Sequence, residues 1–198
     1  HTSTLSGADH MYDALFERLG IYRCYSIPGF IEALKFVSLA GTLEGNRIAS
    51  LSCSGGEAAM VADCSTDLRL DFADFTEDQR VDIRATLNDL VSISNPFDYH
   101  TFIWGNEDAM EATYGAVMNC GFDVTMILMD YPKPGLCDIT EWDRAASAYA
   151  KAAKRTGSRA VMMSTMQEAM PEETRAWLIE NNIVPMQGLD DCLHALEC

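Results

Sequence analysis

The sequence predicts an α/β fold in which a parallel sheet is covered by helices on both faces. Short apolar runs alternate with helical patterns from Arg47 to Cys198, and such alternation produces βα units with parallel strands. A strand-like run ending at Cys53 leads through Ser54-Gly55-Gly56 straight into a helical pattern. With 198 residues, 48% of them hydrophobic, the chain can bury a full core. We therefore expect a three-layer, flavodoxin-like or Rossmann-like arrangement preceded by a short helical segment.

The first 46 residues are predicted to form that helical segment. Apolar residues at helical spacing followed by Gly20 indicate a first helix, and Ser26 is a good N-cap for a second one. The predicted elements are a helix over 8–19, a brief strand over 21–25 and a helix over 29–40. Residues 41–46 are interpreted as a hinge, so the predicted division is 1–46 and 47–198.

The remaining elements follow from periodicity, caps and turn residues. Thr76 and Gln79 form a capping-box pattern, and the unpatterned residues 91–105 predict a long loop. Strands are predicted over 47–53, 68–72, 124–129, 160–163 and 183–186. Helices are predicted from Glu57 and over 76–90, 106–120, 140–155, 171–180 and 189–196.

Composition excludes several classes of partner. A formal net charge of −16 argues against binding to nucleic acid or to an anionic membrane surface. No apolar run reaches the roughly 20 residues of a membrane span, so a cytoplasmic location is expected. The seven cysteines lack zinc-like or disulfide-like spacing and predict no metal site.

Binding in such folds takes place at the carboxyl ends of the strands. Ser54, Gly55 and Gly56 would stand where a helix begins, and the free backbone N–H groups there favour an anion such as phosphate. Glu57 follows the turn. The long loop adds Asn95, Asp98, His100 and Trp104 as pocket candidates, although simple loop packing explains these residues equally well.

Nucleophilic catalysis has two candidate sites in the sequence, one at the Cys53-Ser54 turn and one at His1. Cys53 or Ser54 could occupy a strained turn, but the G-x-S-x-G pattern is not met because Ser52 takes the first glycine position. His1 could accept a phosphoryl group, because neutral imidazole is a good nucleophile near pH 7. No phosphate-loop or dinucleotide-binding motif is present.

Three motifs in order resemble the ADP-forming acyl-CoA synthetases, also called NDP-forming acetate–CoA ligases, which are relatives of succinyl-CoA synthetase. Residues 1–7 (HTSTLSG) resemble the family's Ser-His-Thr-Gly-Ser-Leu-Ala-Gly segment. Ser54-Gly55-Gly56 resembles the start of a helix that holds phosphohistidine, and Asn95-Pro96-Phe97-Asp98 resembles the family's Asn-Pro-Val-Asp. Their order and spacing along the chain match those of the family.

The resemblance implies an acid-thiol ligase that makes an acyl-CoA thioester through phosphorylated His1. It implies that ATP and Mg²⁺ bind an ATP-grasp domain and that CoA binds a CoA-binding domain, in the same chain or a partner subunit. Because neither domain is within these 198 residues, we expect a fragment that is inactive alone and binds no cofactor strongly. A chain beginning at His1 rather than methionine agrees with that expectation. The acid substrate and any homo-oligomerisation stay open.

Two departures from the family pattern keep alternatives open. Ser3 replaces a glycine after His-Thr, and Glu57 stands where proline is common, at the helix start that should attract phosphate. One alternative is therefore a non-catalytic relative with a regulatory or acyl-CoA-sensing role. Another alternative, which needs only the βα pattern, is a stand-alone flavodoxin-like module that binds a small molecule.

Overall fold

The computed structural model describes residues 7–198 and has a five-stranded, wholly parallel sheet at its centre. The strand order is β2-β1-β3-β4-β5, with Leu51 of the inner strand β1 paired to Phe97 on one side and Ile127 on the other. The strands are β1 Ile48–Ser52, β2 Phe97–Asp98, β3 Val124–Leu128, β4 Ala160–Ser164 and β5 Ile183–Gln187. The predicted α/β fold with a parallel, flavodoxin-like sheet is confirmed.

Helices cover both faces of the sheet. They are α1 Asp9–Leu19, α2 Ile27–Ala40, α3 Gly55–Cys64, α4 Glu77–Arg84, α5 Glu107–Met118, α6 Thr140–Thr156, α7 Glu172–Glu180 and α8 Leu189–Ala195. Local sequence sets several ends. Ser26 caps α2 by accepting a hydrogen bond from the Gly29 N–H at 2.9 Å, and Thr76 with Gln79 forms the predicted capping box of α4.

The two faces of the sheet have separate apolar cores. One core is built with α4, α5 and α6 and contains the fully buried rings of Tyr99, Tyr114 and Tyr149. The other is built with α2, α3 and α8 and contains Phe36 and Val61. All five residues of β1, β3 and β4 are buried, as expected for strands covered on both sides.

The structure differs from the sequence-based prediction at four places. Residues 21–25 form no strand, and the Arg23 side chain there pairs with Asp9 and Asp13 of α1. Residues 68–72 provide a single bridge between Asp71 and Arg47. β2 lies inside the segment predicted to be a loop, and α4 ends at Arg84, earlier than predicted.

Helix α2 packs on the sheet core although it precedes the predicted hinge. Ala33 and Phe36 are buried in the second core. The buried carboxylate of Glu32 accepts hydrogen bonds from Lys35 Nζ at 2.8 Å and from the Gln187 N–H at 3.2 Å. The division at residue 46 stays a prediction. Within residues 7–198, no helix is long and apolar enough to cross a membrane.

Candidate functional site

The start of α3 lies at the carboxyl end of β1 and is open to solvent. Ser54 is the N-cap but makes no capping bond through its side chain, and the first helical hydrogen bond runs from the Ala58 N–H to the Ser54 carbonyl at 3.1 Å. The N–H groups of residues 55–57 therefore have no partner within the helix. Gly55 and Gly56 are exposed, so an anion could approach these donors directly.

Three carboxylates surround this helix start. Asp98 ends β2 next to β1, and a Cβ atom added at Gly55 would lie 3.2 Å from its Oδ2 atom. Asp130 follows β3, where it accepts a hydrogen bond from the Thr165 N–H at 2.8 Å and another from the Thr165 hydroxyl. Glu57 lies in the first turn of α3. The N–H donors are thus close to groups that repel an anion when ionised.

Glu57 holds its proton more strongly than an ordinary glutamate. Burial, followed by the charges of Asp130 and Asp98, raises the pKa of Glu57 to about 7. Its Oε2 atom is buried and has no hydrogen-bond partner among the described residues. A substantial fraction of Glu57 is therefore neutral near pH 7, which reduces the negative charge beside the helix start.

The structure argues against Cys53 as a nucleophile. Burial and the neighbouring Glu57 and Asp98 charges raise the pKa of the Cys53 thiol to about 11, whereas a reactive cysteine needs a lowered pKa. Within residues 7–198, Ser54 forms no hydrogen bond with a histidine. Its turn is held by the Ser52 hydroxyl, which donates to the Ser54 carbonyl at 3.0 Å.

Asn95 connects the pocket loop to the sheet through its side-chain amide. Its Oδ1 atom accepts from the Ser50 N–H at 3.0 Å, while Nδ2 donates to the carbonyls of Ile48 at 2.7 Å and Ala73 at 3.1 Å. These bonds engage the amide with backbone groups. Asn95 therefore positions β2 and Asp98 rather than facing a ligand.

His100 lies on the loop that follows β2. Its backbone has a φ of 59°, an unusual value for a residue other than glycine, and its N–H donates to Oδ1 of Asp98 at 2.8 Å. Its imidazole Nε2 is 3.7 Å from Asp98 Oδ2. The exposed ring of Phe102 is 5.6 Å from the imidazole, centre to centre.

The structure thus brings together Ser54, Gly55, Gly56, Glu57, Asp98 and His100. Trp104 packs against Trp142 on the α5–α6 side of the sheet. His1, the predicted phosphoryl acceptor, and Ser3 lie outside the described residues. Sequence reasoning missed Asp130, although its position directly after a strand indicated the same edge of the sheet. No group of metal-binding side chains is found in residues 7–198.

Fold and site define an α/β protein with a glycine-rich helix start suited to an anion and an adjacent cluster of acidic groups. No family model matches the chain. Over 98 residues it is 29% identical to an ADP-forming acetate–CoA ligase of Methanocaldococcus jannaschii, covering 50% of this chain and 14% of the relative. Over 120 residues it is 25% identical to ADP-forming acetate–CoA ligase II of Archaeoglobus fulgidus, which covers 60% of this chain and 18% of that relative.

Solved structures agree in fold. PH0766 of Pyrococcus horikoshii aligns over 96% of this chain and 44% of its own, with a TM-score of 0.77 and 19% identity. A dinucleotide-forming acetyl-coenzyme A synthetase 1 of Ca. Korarchaeum cryptofilum aligns over 99% of this chain and 42% of its own, with a TM-score of 0.78 and 18% identity. The resemblance to ADP-forming acyl-CoA synthetases is confirmed, and the chain spans less than half the length of these relatives.

Proposed function

We propose that this chain forms the phosphoryl-holding part of an ADP-forming acyl-CoA synthetase. The observation that carries the proposal is the open start of α3, where the N–H groups of Gly55, Gly56 and Glu57 have no helical partner and two of the three residues are exposed. The names of the curated relatives supply the reaction class. Domains outside these residues would bind ATP with Mg²⁺ and CoA.

His1 is the proposed shuttle residue. Its imidazole nitrogen attacks the γ-phosphorus of ATP, and the bond to the β-phosphate oxygen breaks to release ADP. A carboxylate oxygen of the acid substrate then takes the phosphoryl group from His1, which gives an acyl phosphate. The CoA thiol, losing its proton, attacks the acyl carbon and releases phosphate, so the products are the thioester, ADP and phosphate.

The α3 start would hold the phosphoryl group while it is bound to His1. Backbone donors and the helix dipole favour the negative oxygens, while Asp98 and Asp130 oppose them. Neutral Glu57 reduces that opposition, and it can also donate a hydrogen bond to a phosphoryl oxygen. With attraction and repulsion both acting, the α3 start would bind the phosphoryl group weakly enough for its transfer to the acid substrate.

The test is the intact mass of the native full-length protein, with its partner subunit if it has one, before and after ATP and Mg²⁺. We expect one added phosphoryl group that is labile in mild acid, maps to His1 and is discharged by CoA plus acetate. His1→Ala should abolish the addition, whereas the control His10→Ala, on the exposed side of α1, should keep it. Phosphorylation that persists in His1→Ala would refute the role of His1.

The second candidate is a non-catalytic module that senses an acyl-CoA or another small molecule. The observation favouring it is the convergence of the Glu57, Asp98 and Asp130 charges on one helix start. If the folded full-length protein takes up no phosphate but its melting temperature rises with acyl-CoA, this candidate replaces the first one.

A further inference from the structure

Helices α1 and α2 expose an unusual amount of apolar surface. On α2, the side chains of Ile27, Phe30 and Ile31 are 81%, 50% and 51% exposed. On α1, Leu15 and Leu19 are exposed as well. We call the surface formed by the outward side chains of these two helices the α1–α2 apolar face.

The two helices need a packing partner beyond the described residues. α1 has eleven residues and buries none of them, and isolated helices of this length are marginal in water. α2 places Ala33 and Phe36 in the core while its opposite side is also apolar. Apolar side chains on two opposite sides of a helix are typical of a helix that is covered on both sides.

The face also contains a groove large enough to receive side chains. It has a volume of about 630 Å³ and is lined by apolar residues of α2 and of the segment before it, among them Tyr25, Phe30 and Leu34. Monomeric proteins rarely leave contiguous apolar surface of this kind uncovered.

We propose that the α1–α2 apolar face is the docking surface for another domain of the same polypeptide, outside residues 1–198. The solved relatives align with 96–100% of this chain, yet this chain covers only 41–44% of theirs. More than half of each relative is therefore available to cover the face. The docked domain presents an apolar surface that fills the groove.

A second copy of the chain fits the face less well. Each copy carries a formal net charge of −16, and bringing two such surfaces together adds long-range repulsion. A domain within the same polypeptide also avoids the loss of free motion that separate molecules incur on binding. Docking at the α1–α2 apolar face is a packing interaction and does not depend on phosphoryl transfer.

Hydrogen exchange on the native full-length protein tests this inference. We expect the backbone amides of α1 to exchange at least about tenfold more slowly than unstructured peptide, with no change on dilution. Exchange of α1 at the unstructured rate would overturn the proposal. Protection that falls on dilution would assign the face to a second copy instead, and would also overturn it.

Matched variants assign the protection to this face. Ile31→Glu places a charge on α2, while Val81→Glu places one on α4, on the other side of the sheet, where Val81 is 61% exposed. We expect at least tenfold faster exchange in α1 and in the docked domain for Ile31→Glu only. If Ile31→Glu does not fold, Ile27→Glu replaces it in the same comparison, because Ile27 is the most exposed apolar side chain of α2. Equal effects of the α2 and Val81→Glu variants would overturn the inference.

Discussion

The imidazole Nε2 of His100 lies 3.7 Å from Oδ2 of Asp98, the oxygen that also faces Gly55 at the start of α3. The loop after β2 and the helix after β1 therefore meet at one carboxylate. The backbone N–H of His100 also donates to Oδ1 of Asp98 at 2.8 Å, so His100 approaches both oxygens of the carboxylate beside the α3 start.

We expect His100→Gln to lower thioester formation from acetate, CoA and ATP by the full-length protein. The side-chain contact at 3.7 Å is longer than a hydrogen bond. Contacts of this kind between partly exposed side chains contribute about 1 kcal/mol or less, so the loss should be about fivefold at most. The control His194→Gln changes a half-exposed histidine on α8 and should leave the rate unchanged. An unaltered rate in His100→Gln would rule out a contribution of this side chain.

Glu57 makes stability depend on pH in a defined direction. Its pKa is about 7 in the folded protein and near 4.5 when unfolded, so the folded state binds more protons between these values. Stability from Glu57 is complete below pH 4.5 and is lost as the pH rises through 7. Glu57→Gln should therefore raise the melting temperature more at pH 8 than at pH 5.

Thermal unfolding of Glu57→Gln at the two pH values measures this difference. Glu44→Gln, at an exposed position before β1, is the matched control and should shift the melting temperature equally at both. If Glu57→Gln and Glu44→Gln shift the melting temperature alike at both pH values, the pKa of Glu57 is not raised by burial and by its acidic neighbours.

The sequence was sufficient to predict the start of α3. A buried strand followed directly by two glycines leaves little choice but a sharp turn into a helix. The capping box of Thr76 was equally readable, because its signal is local. The same reasoning placed Asp98 and His100 at the correct edge of the sheet.

Features that depend on tertiary contacts could not be predicted. β2 has only two residues, and its place is set by the Asn95 amide bonded to the backbone of Ile48 and Ser50. The pKa of Glu57 depends on where β2 and β3 end, since Asp98 and Asp130 raise it. Neither the placement of β2 nor the raised pKa of Glu57 leaves a periodic pattern in the sequence.

A buried pair of phenols offers a test of the core beneath the site. The hydroxyl of Tyr114 donates to that of Tyr99 at 2.9 Å, and both side chains are fully buried. Tyr114→Phe removes the partner of the Tyr99 oxygen, which should lower the free energy of unfolding by about 1–3 kcal/mol in urea titrations. Tyr12→Phe, at an exposed position on α1, should change it little; similar losses in both would contradict this assignment.

Gly55 and Gly56 form a matched pair for testing the anion site. A Cβ atom at Gly55 would lie 3.2 Å from Asp98 Oδ2, whereas one at Gly56 would lie 3.5 Å from Ser54 Oγ, which is an ordinary contact. Alanine is favoured over glycine in helices by up to about 1 kcal/mol. Gly56→Ala should therefore preserve or raise the melting temperature, and Gly55→Ala should be the less stable of the two.

The pair should also differ in function, because the methyl group of Gly55→Ala pushes Asp98 and crowds the first free N–H group. We expect Gly55→Ala to lower the amount of acid-labile phosphate on the full-length protein several-fold more than Gly56→Ala does, measured by intact mass at equal ATP. If both variants retain full phosphorylation, the phosphoryl group is not held at the start of α3. If both lose it equally while remaining folded, access to the helix start is needed but the position of Asp98 is not.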